Sequence, residues 1–154
     1  MRVLITGANG FVGRELVRCL LARGSLRGQP IAALLVLDRD LPGLPDDARV
    51  RRHFGSVTDP ALMRRVLADG IDVVFHLVSI PGGAAEEQYD LGYQVNLLAS
   101  LELLNQLRNK RRELARLRPA NDRSYEHSEA LNTEIDRLHI SRELLATLRW
   151  RRLE

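Results

Sequence analysis

Short apolar runs alternate with amphipathic stretches in the N-terminal part of the chain. Four runs have the length of strands in a parallel sheet, and they cover residues 1–5, 32–37, 50–54 and 72–78. Apolar residues at helical spacing follow the first run, and Asp59 and Pro60 begin a second helix that is expected to end at Ala68. The alternation predicts an α/β fold with parallel strands in the order 3-2-1-4 and with the first and third helices on opposite faces.

From residue 86 onward the pattern is helical, and no further strand is predicted. One face of this helix carries leucines at three- and four-residue steps, namely Leu103, Leu107, Leu114 and Leu117. Residues 118–122 break the pattern, and a last helix is expected over 122–150, so the tail is predicted to be an antiparallel helical hairpin. Residues 1–108 are accordingly predicted to form an α/β domain, and residues 109–154 a tail that packs on it or on a second copy.

The composition is that of a globular chain with one core. The 154 residues are 45% hydrophobic and 28% charged, and no apolar stretch is long enough to cross a membrane. Met1 leads directly into the first strand, so no signal peptide is expected. Cys19 is the single cysteine, and helical spacing places it on the buried side of the first helix. These features predict a cytoplasmic protein without an internal disulfide.

The basic residues are concentrated in the tail. Residues 104–154 carry 12 basic and eight acidic side chains, and Lys110 is the single lysine among the 23 basic residues of the chain. One cluster consists of Arg108, Lys110, Arg111, Arg112, Arg116 and Arg118. It has no interleaved aromatic residues and Glu113 interrupts it, so a solvated helix face is favoured over a nucleic-acid site.

A glycine-rich turn, Thr-Gly-Ala-Asn-Gly-Phe-Val-Gly at 6–13, connects the first strand to the first helix. Gly7 allows the tight turn, Gly10 lets backbone amides approach a pyrophosphate, and Gly13 lets the helix pack close to the strand. The N–H groups and the dipole of the helix start then favour negative charge. Strand, turn and helix together predict a dinucleotide site formed by Gly7, Asn9, Gly10, Phe11, Val12 and Gly13.

Asp38 ends the second predicted strand, where a carboxylate can accept hydrogen bonds from both hydroxyls of an adenosine ribose. A carboxylate at this position would repel a 2′-phosphate, so NAD is favoured over NADP as the cofactor. The neighbouring Arg39 would offset part of that preference. Without the glycines upstream, Asp38 would be interpreted as an ordinary turn residue.

The glycines recur at three-residue steps, and this Thr-Gly-x-x-Gly-x-x-Gly spacing resembles the extended short-chain dehydrogenases/reductases, a branch of sugar-nucleotide epimerases, dehydratases and reductases. The resemblance covers residues 1–108 and implies a truncated Rossmann-type sheet. It also implies further cofactor contacts at Ser56 and Val57 beside the adenine, and at Asn96 in the helix on the nicotinamide side. The resemblance also implies cofactor contacts after the fourth strand, where the family carries small residues and this chain has Leu77, Val78 and Ser79.

One subgroup of that family is more similar still. The segments 77–86 and 89–96 resemble the D-erythronate dehydrogenases, which oxidise four-carbon sugar acids, and the insertion at 24–30 is similar to theirs. The resemblance therefore implies an ancestral oxidoreductase on sugar acids. It further implies a homodimer through the tail helices over 86–118 and 122–150, because in related enzymes two helices from each copy pair across a two-fold axis.

The catalytic pair of the family is absent from the sequence. Its members use Tyr-x-x-x-Lys, in which the lysine lowers the tyrosine pKa, but neither Tyr89, Tyr93 nor Tyr125 has a lysine four residues later. At Tyr125 that position is Glu129, which would raise the tyrosine pKa instead. No catalytic residue is therefore assigned, and no histidine spacing indicates a metal site.

Three interpretations remain open. The first is an NAD-binding part of such an enzyme that is catalytically incomplete. The second is an NAD-dependent oxidoreductase for a D-erythronate-like sugar acid, completed by another chain. The third is a helical module that binds a partner or a nucleic acid. Binding of NAD separates the first from the third, and turnover of a sugar acid separates the second from the first.

Overall fold

A computed structural model describes residues 1–117 of the chain, and Met1–Arg112 form one compact unit. In chain order the elements are β1 (Arg2–Thr6), α1 (Phe11–Arg23), β2 (Ser25–Leu26), β3 (Gln29–Pro30), β4 (Ala33–Asp38), β5 (Val50–Phe54), α2 (Pro60–Ala68), β6 (Val73–His76), α3 (Gly82–Glu87), α4 (Tyr89–Gly92), a π-helical segment (Tyr93–Leu98) and α5 (Ala99–Leu117). Within the described part, no helix is both long and apolar enough to cross a membrane.

Several predictions for the tail fall outside the described residues. They are the break at 118–122, the helix over 122–150, the motif around Tyr125, and the side-chain positions of Leu114 and Leu117. The assignment of separate domains and the cytoplasmic location also stay predictions.

Four parallel strands form the main sheet in the order β5-β4-β1-β6. Leu4 at the centre of β1 pairs with Leu35 of β4 on one side and with Val74 of β6 on the other. β5 lies at the edge, and its Arg51 and Arg52 are exposed there, where charged side chains discourage pairing with another chain. The observed order confirms the predicted order 3-2-1-4.

The sheet is covered on both faces because successive side chains of a strand point in opposite directions. Val3 and Ile5 of β1 share a core cluster with Val17 of α1, whereas Leu4 shares another with Val66 of α2 and Leu103 of α5. The first helix and the helix after β6 therefore lie on opposite faces, as predicted. This arrangement leaves the carboxyl ends of the strands open at one edge of the sheet.

The start of α2 confirms the predicted cap. The Asp59 carboxylate accepts hydrogen bonds from the amides of Ala61 at 2.8 Å and Leu62 at 3.2 Å, and Pro60 stands in the first turn. Such a cap contributes about 1 kcal/mol to stability.

Two local expectations differ from the structure. The insertion 24–30, expected to be a turn-rich connection, forms a two-residue hairpin in which Arg27 and Gly28 have positive φ angles of 53° and 76°. Cys19 is exposed rather than buried, because Gly13, Val17 and Leu20 are the buried positions of α1 and Cys19 falls outside that stripe. The hairpin angles are those of the type I′ turn that matches the twist of paired strands.

The helix expected from residue 86 is divided into four segments. Gln88 has non-helical angles (φ −121°, ψ 64°) and separates α3 from α4. The π-helical segment Tyr93–Leu98 then widens the helix before α5 begins. Leu103 is buried and Leu107 packs against the same core, so the predicted leucine face is turned toward the sheet as far as it is described.

Candidate functional site

A cleft lies at the carboxyl ends of β1, β4, β5 and β6, where the strand order reverses direction. We call it the carboxyl-end cleft, and it is lined by Gly7, Gly10, Leu37, Asp38, Arg39, Gly55, Ser56, Val57, Leu77, Val78, Ser79, Ile80, Leu91 and Val95. Its volume is about 180 Å³, smaller than a cavity that would enclose a dinucleotide. In open α/β sheets, ligands bind in the crevice at such a switch point.

The glycine turn forms one wall of the cleft with backbone alone. Gly7 has a φ of 69°, and a Cβ added there would stand 2.6 Å from the amide nitrogen of Val78. A Cβ on Gly13 would stand 2.8 Å from Ala8 Cα and nearer still to the carbonyl oxygen of Gly7. The tight turn and the close approach of helix and strand are therefore both present. Gly10 is less constrained, because its nearest atom, the Gly7 oxygen, would be 3.2 Å away.

The N-terminus of α1 has no side chain that caps it. Gly10 is the N-cap residue and forms no side-chain hydrogen bond, in contrast to Asp59 at the start of α2. The first amides of an uncapped helix point outward and favour an anion. Phe11 and Val12, whose amides belong to this turn, have side chains that are 94% and 60% exposed and do not line the cleft.

Asp38 connects the end of β4 to the glycine turn. One carboxylate oxygen accepts from the amide of Asn9 at 2.9 Å, and the other accepts from the amide of Arg39 at 2.7 Å. The turn is also held by the amide of Gly7, which donates to the carbonyl of Leu37 at 2.9 Å. The half-buried carboxylate is therefore fixed in orientation at the position that the sequence predicted.

One buried polar atom of the glycine turn has no hydrogen-bond partner among the described residues. The Oδ1 atom of Asn9 is buried and accepts no hydrogen bond from any residue of the described part. Buried acceptors are normally satisfied, so this atom marks a place where a donor from a ligand or water fits. A glycine cradle, an uncapped helix start, an oriented carboxylate and an unsatisfied acceptor together fit a dinucleotide.

The loop after β5 supplies the next side of the cleft. Gly55 has a φ of 144°, and its amide donates to the carbonyl of Asp38 at 2.9 Å. The Ser56 hydroxyl is used locally, since it lies 2.7 Å from Thr58 Oγ1 and accepts from the Thr58 amide at 3.1 Å. The backbone and Val57 are therefore what this loop presents to the cleft.

Asn96 holds the loop after β6 in place. Its side-chain oxygen accepts from the amide of Ile80 at 2.7 Å, and its side-chain nitrogen donates to the carbonyl of Ile80 at 3.0 Å. Both halves of the amide are thus engaged by one residue, and Asn96 does not itself line the cleft. Its predicted contact with a cofactor stays a prediction, whereas its contact with the loop is direct.

The structure brings nine of the fourteen predicted site residues to the lining of the cleft. Asn9, Phe11, Val12, Gly13 and Asn96 stand beside it. Five further residues that were not predicted also line the cleft, namely Leu37, Gly55, Ile80, Leu91 and Val95. Gly55 could have been found from a glycine directly after a strand, whereas Leu91 and Val95 depend on how the divided helix packs.

The described residues contain no group of three histidine, cysteine, aspartate or glutamate side chains that could hold a metal ion. Burial lowers the pKa of His53 on the edge strand, with Asp69 opposing that shift. His53 does not line the cleft.

Comparison with known proteins identifies relatives of this chain. Residues 3–118 match the model of a family described as the NAD dependent epimerase/dehydratase family. D-erythronate dehydrogenase of Cupriavidus necator is 47% identical over 112 residues, which make up 70% of this chain and 35% of that enzyme. The chain thus spans about a third of the length of the curated relatives that it matches.

Solved structures are similar over the same region. The nucleoside-diphosphate-sugar epimerase from Agrobacterium tumefaciens has a TM-score of 0.69 and 31% identity, over 73% of this chain and 34% of that one. The Bordetella bronchiseptica enzyme WbmF, solved in complex with NAD+, has a TM-score of 0.59 and 31% identity, over 69% of this chain and 32% of that one. These matches confirm the predicted Rossmann-type fold, the resemblance to D-erythronate dehydrogenases, and NAD as the cofactor of the family.

Proposed function

Because the chain belongs to the NAD dependent epimerase/dehydratase family, we propose that residues 1–117 bind NAD in the carboxyl-end cleft, as the dinucleotide-binding part of an extended short-chain dehydrogenase/reductase. The observation that carries this proposal is the glycine cradle. Gly7 and Gly13 have no space for a side chain, and Asp38 is fixed beside them by two backbone amides. A dinucleotide site needs the tight glycine turn, the close packing of helix on strand and the carboxylate for the ribose together at one switch point.

Each wall of the cleft has a distinct part in this proposal. The pyrophosphate would lie over the amides of Gly10, Phe11 and Val12 at the uncapped start of α1. Ser56 and Val57 would border the adenine, and the loop Leu77–Ser79 would border the nicotinamide side, where Asn96 keeps the loop in place through Ile80. Bound NAD would supply the acceptor for a hydride.

NAD is preferred to NADP in this proposal because Asp38 would meet the ribose. A carboxylate held by two amides remains available to accept hydrogen bonds from ribose hydroxyls, and it repels a 2′-phosphate. Arg39 lines the same cleft and would reduce the discrimination without reversing it.

A titration of the full 154-residue chain tests the proposal. Isothermal calorimetry or equilibrium dialysis with NAD should give saturable binding in the micromolar to millimolar range, and NADP should bind more weakly. No bound nucleotide at millimolar NAD would contradict the proposal. That result would favour the interpretation as a module that binds a partner or nucleic acid through the arginine-rich tail.

We also infer that this chain alone is catalytically incomplete. Its sequence contains no Tyr-x-x-x-Lys, and arginine does not substitute readily for the lysine, because it is longer and presents a planar fork. The second candidate is an NAD-dependent oxidoreductase for a D-erythronate-like sugar acid, completed by another chain. The 47% identity to a D-erythronate dehydrogenase supports that candidate. NADH formation from D-erythronate by the purified chain, followed by absorbance, would favour the second candidate over the first.

A homodimer is the third part of the proposal. An apolar stripe lies on the helical region after β6, and each of its residues is 38–56% exposed. The stripe consists of Tyr93, Leu97, Leu101 and Leu104. Acidic residues stand at the N-terminal end of this helical region, namely Glu86, Glu87 and Asp90, and basic residues including Arg111 and Arg112 at the other end. Two copies related by a two-fold axis would pack antiparallel, so that each acidic end meets a basic end.

A further inference from the structure

The ring of His76 joins two hydroxyl groups from different elements. Its Nδ1 atom lies 2.7 Å from Thr6 Oγ1 at the end of β1, and its Nε2 atom lies 3.1 Å from Ser100 Oγ in α5. The Ser100 hydroxyl donates in turn to the main-chain carbonyl of Asn96 at 3.0 Å. A single chain of hydrogen bonds therefore crosses from the sheet to the helix that covers it.

The direction of this chain follows from counting protons. The one hydroxyl proton of Ser100 is used on the carbonyl of Asn96, so Nε2 of His76 must donate to Ser100 Oγ. A neutral imidazole has one N–H, and Nδ1 is then an acceptor for the hydroxyl of Thr6. For a neutral ring, this hydrogen-bond pattern therefore places the proton on Nε2.

The surroundings of the ring favour the neutral form. The groups that face it from β1 and from the helix are the hydroxyls of Thr6 and Ser100, neither of which is charged. Burial lowers the pKa of His76. An imidazolium would need an acceptor at Nδ1, and the hydroxyl of fully buried Thr6 would then have to turn its proton away from the ring.

The two ends of this chain are attached to the two sides of the carboxyl-end cleft. Thr6 directly precedes Gly7, and the carbonyl of Thr6 accepts from the amide of Leu77, the residue that follows His76, at 3.0 Å. Asn96, which accepts from Ser100, is also the residue that holds Ile80. The ring therefore adds a side-chain link between the glycine turn and the 77–80 loop to the backbone bond between Thr6 and Leu77.

We propose that His76 is a positioning residue for dinucleotide binding, which as the neutral Nε2–H tautomer fixes the glycine turn relative to the 77–80 loop. This inference rests on the proposed function of the cleft. Little misplacement is tolerated there, because Gly7 packs directly against the backbone of Val78. His76 acts through its neighbours and does not line the cleft itself.

The tautomer can be measured in the complete chain without any ligand. Two-bond ¹H–¹⁵N spectra of the ¹⁵N-histidine protein at pH 7.5 should show His76 as the Nε2–H form, with the resonance identified by its loss in His76→Gln. Ser100→Ala should shift that resonance toward a mixture of tautomers, because Nε2–H loses its acceptor. A ring protonated on Nδ1, or an imidazolium, in the parent chain would overturn the inference.

The binding arm of the test uses the two hydroxyl partners. Ser100→Ala and Thr6→Val should each weaken NAD binding about three- to tenfold, which is the effect of losing one hydrogen bond in a positioned network. Thr6→Ser keeps the hydroxyl and should restore binding to within about twofold of the parent. Ser25→Ala, which removes an exposed hydroxyl in β2, is the matched control and should change nothing.

The outcomes separate this inference from the proposed function. If the parent chain binds no NAD, the proposed function and this inference both fail. If the parent binds NAD and both folded hydroxyl variants bind it equally well, the inference alone fails. Should Thr6→Val not fold, as a melting curve would reveal, half-buried Ser100→Ala decides the matter by itself.

Discussion

Gly7 packs against the backbone of Val78 so closely that a Cβ on Gly7 would stand 2.6 Å from the Val78 amide nitrogen. This contact joins the exit of β1 to the exit of β6, and both residues line the carboxyl-end cleft. Because both contacting groups are backbone, neither can move aside as a flexible side chain would. The glycine turn can therefore approach the loop after β6 this closely only because residue 7 has no Cβ.

The first prediction follows from this contact. Gly7→Ala should destabilise the chain by about 2–4 kcal/mol, since the new Cβ meets backbone and the φ of 69° is strained for alanine. The fraction that folds should bind NAD at least about tenfold more weakly. Urea denaturation and calorimetry measure the two effects.

A matched control separates the two causes. Gly43 has a nearly identical φ of 70°, but a Cβ there would meet nothing within 4 Å. Gly43→Ala should therefore cost only the backbone strain, about 1 kcal/mol, and leave NAD binding unchanged. Equal losses of stability in the two variants would show that the contact with Val78 does not contribute to the free energy of unfolding.

The second prediction concerns Asp38. Asp38→Ala removes a carboxylate that accepts from two amides and is proposed to meet the ribose. Affinity for NAD should fall by about tenfold or more, and affinity for NADP should fall less, because a repulsive charge is removed with the acceptor. Dissociation constants for both nucleotides give the ratio. Asp46→Ala, which removes a fully exposed carboxylate outside the cleft, should leave the ratio unchanged.

Much of this fold was predictable because its determinants are local. The strand lengths, the cap at Asp59 and the glycine turn each depend on neighbouring residues, and the right-handed crossover rule leaves only a few strand orders. Asp38 was predictable for the same reason, since it ends a strand.

Other features depend on contacts that no local pattern contains. The amide of Asn96 meets Ile80 from a helical region that is divided at Gln88 and widened over Tyr93–Leu98. The exposure of Cys19 was missed because helical spacing alone does not fix which side of a helix meets the sheet. The unsatisfied oxygen of Asn9 is likewise invisible until the turn is folded.

The third prediction concerns the pH dependence of stability. Burial lowers the pKa of His53, although the negative charge of Asp69 acts to raise it. Burial also lowers the pKa of His76. The unfolded chain therefore takes up protons more readily than the folded chain. The stabilisation is complete above the ordinary histidine pKa of about 6.5 and is lost as the pH falls through the lowered values.

The free energy of unfolding should accordingly be lower at pH 5.5 than at pH 7.5. His53→Gln should flatten this dependence, because glutamine does not titrate. Urea denaturation at four pH values measures both slopes, and the interval from pH 7.5 to 8.5, where neither ring titrates, serves as the internal reference. A parent slope that His53→Gln leaves unaltered would remove His53 from the explanation.

The fourth prediction concerns association of the chain. The apolar stripe of Tyr93, Leu97, Leu101 and Leu104 lies on the outer side of the helix whose Leu103 faces the core. An exposed stripe of this kind is typical of a helix that packs on a partner. We expect light scattering of the full chain to give the mass of a dimer at micromolar concentration.

Leu101→Glu combined with Leu104→Glu should convert that dimer to a monomer, because two buried charges per copy would face each other across the two-fold axis. Both side chains are exposed in the single copy, at 39% and 56%, so the substitution should leave the melting temperature of the α/β unit nearly unchanged. Phe54→Glu is the matched control, since Phe54 is 60% exposed on the edge strand β5 and away from the stripe. A dimer that persists in the double variant but dissociates in Phe54→Glu would place the interface at the sheet edge, and a parent chain that is monomeric would exclude the dimer altogether.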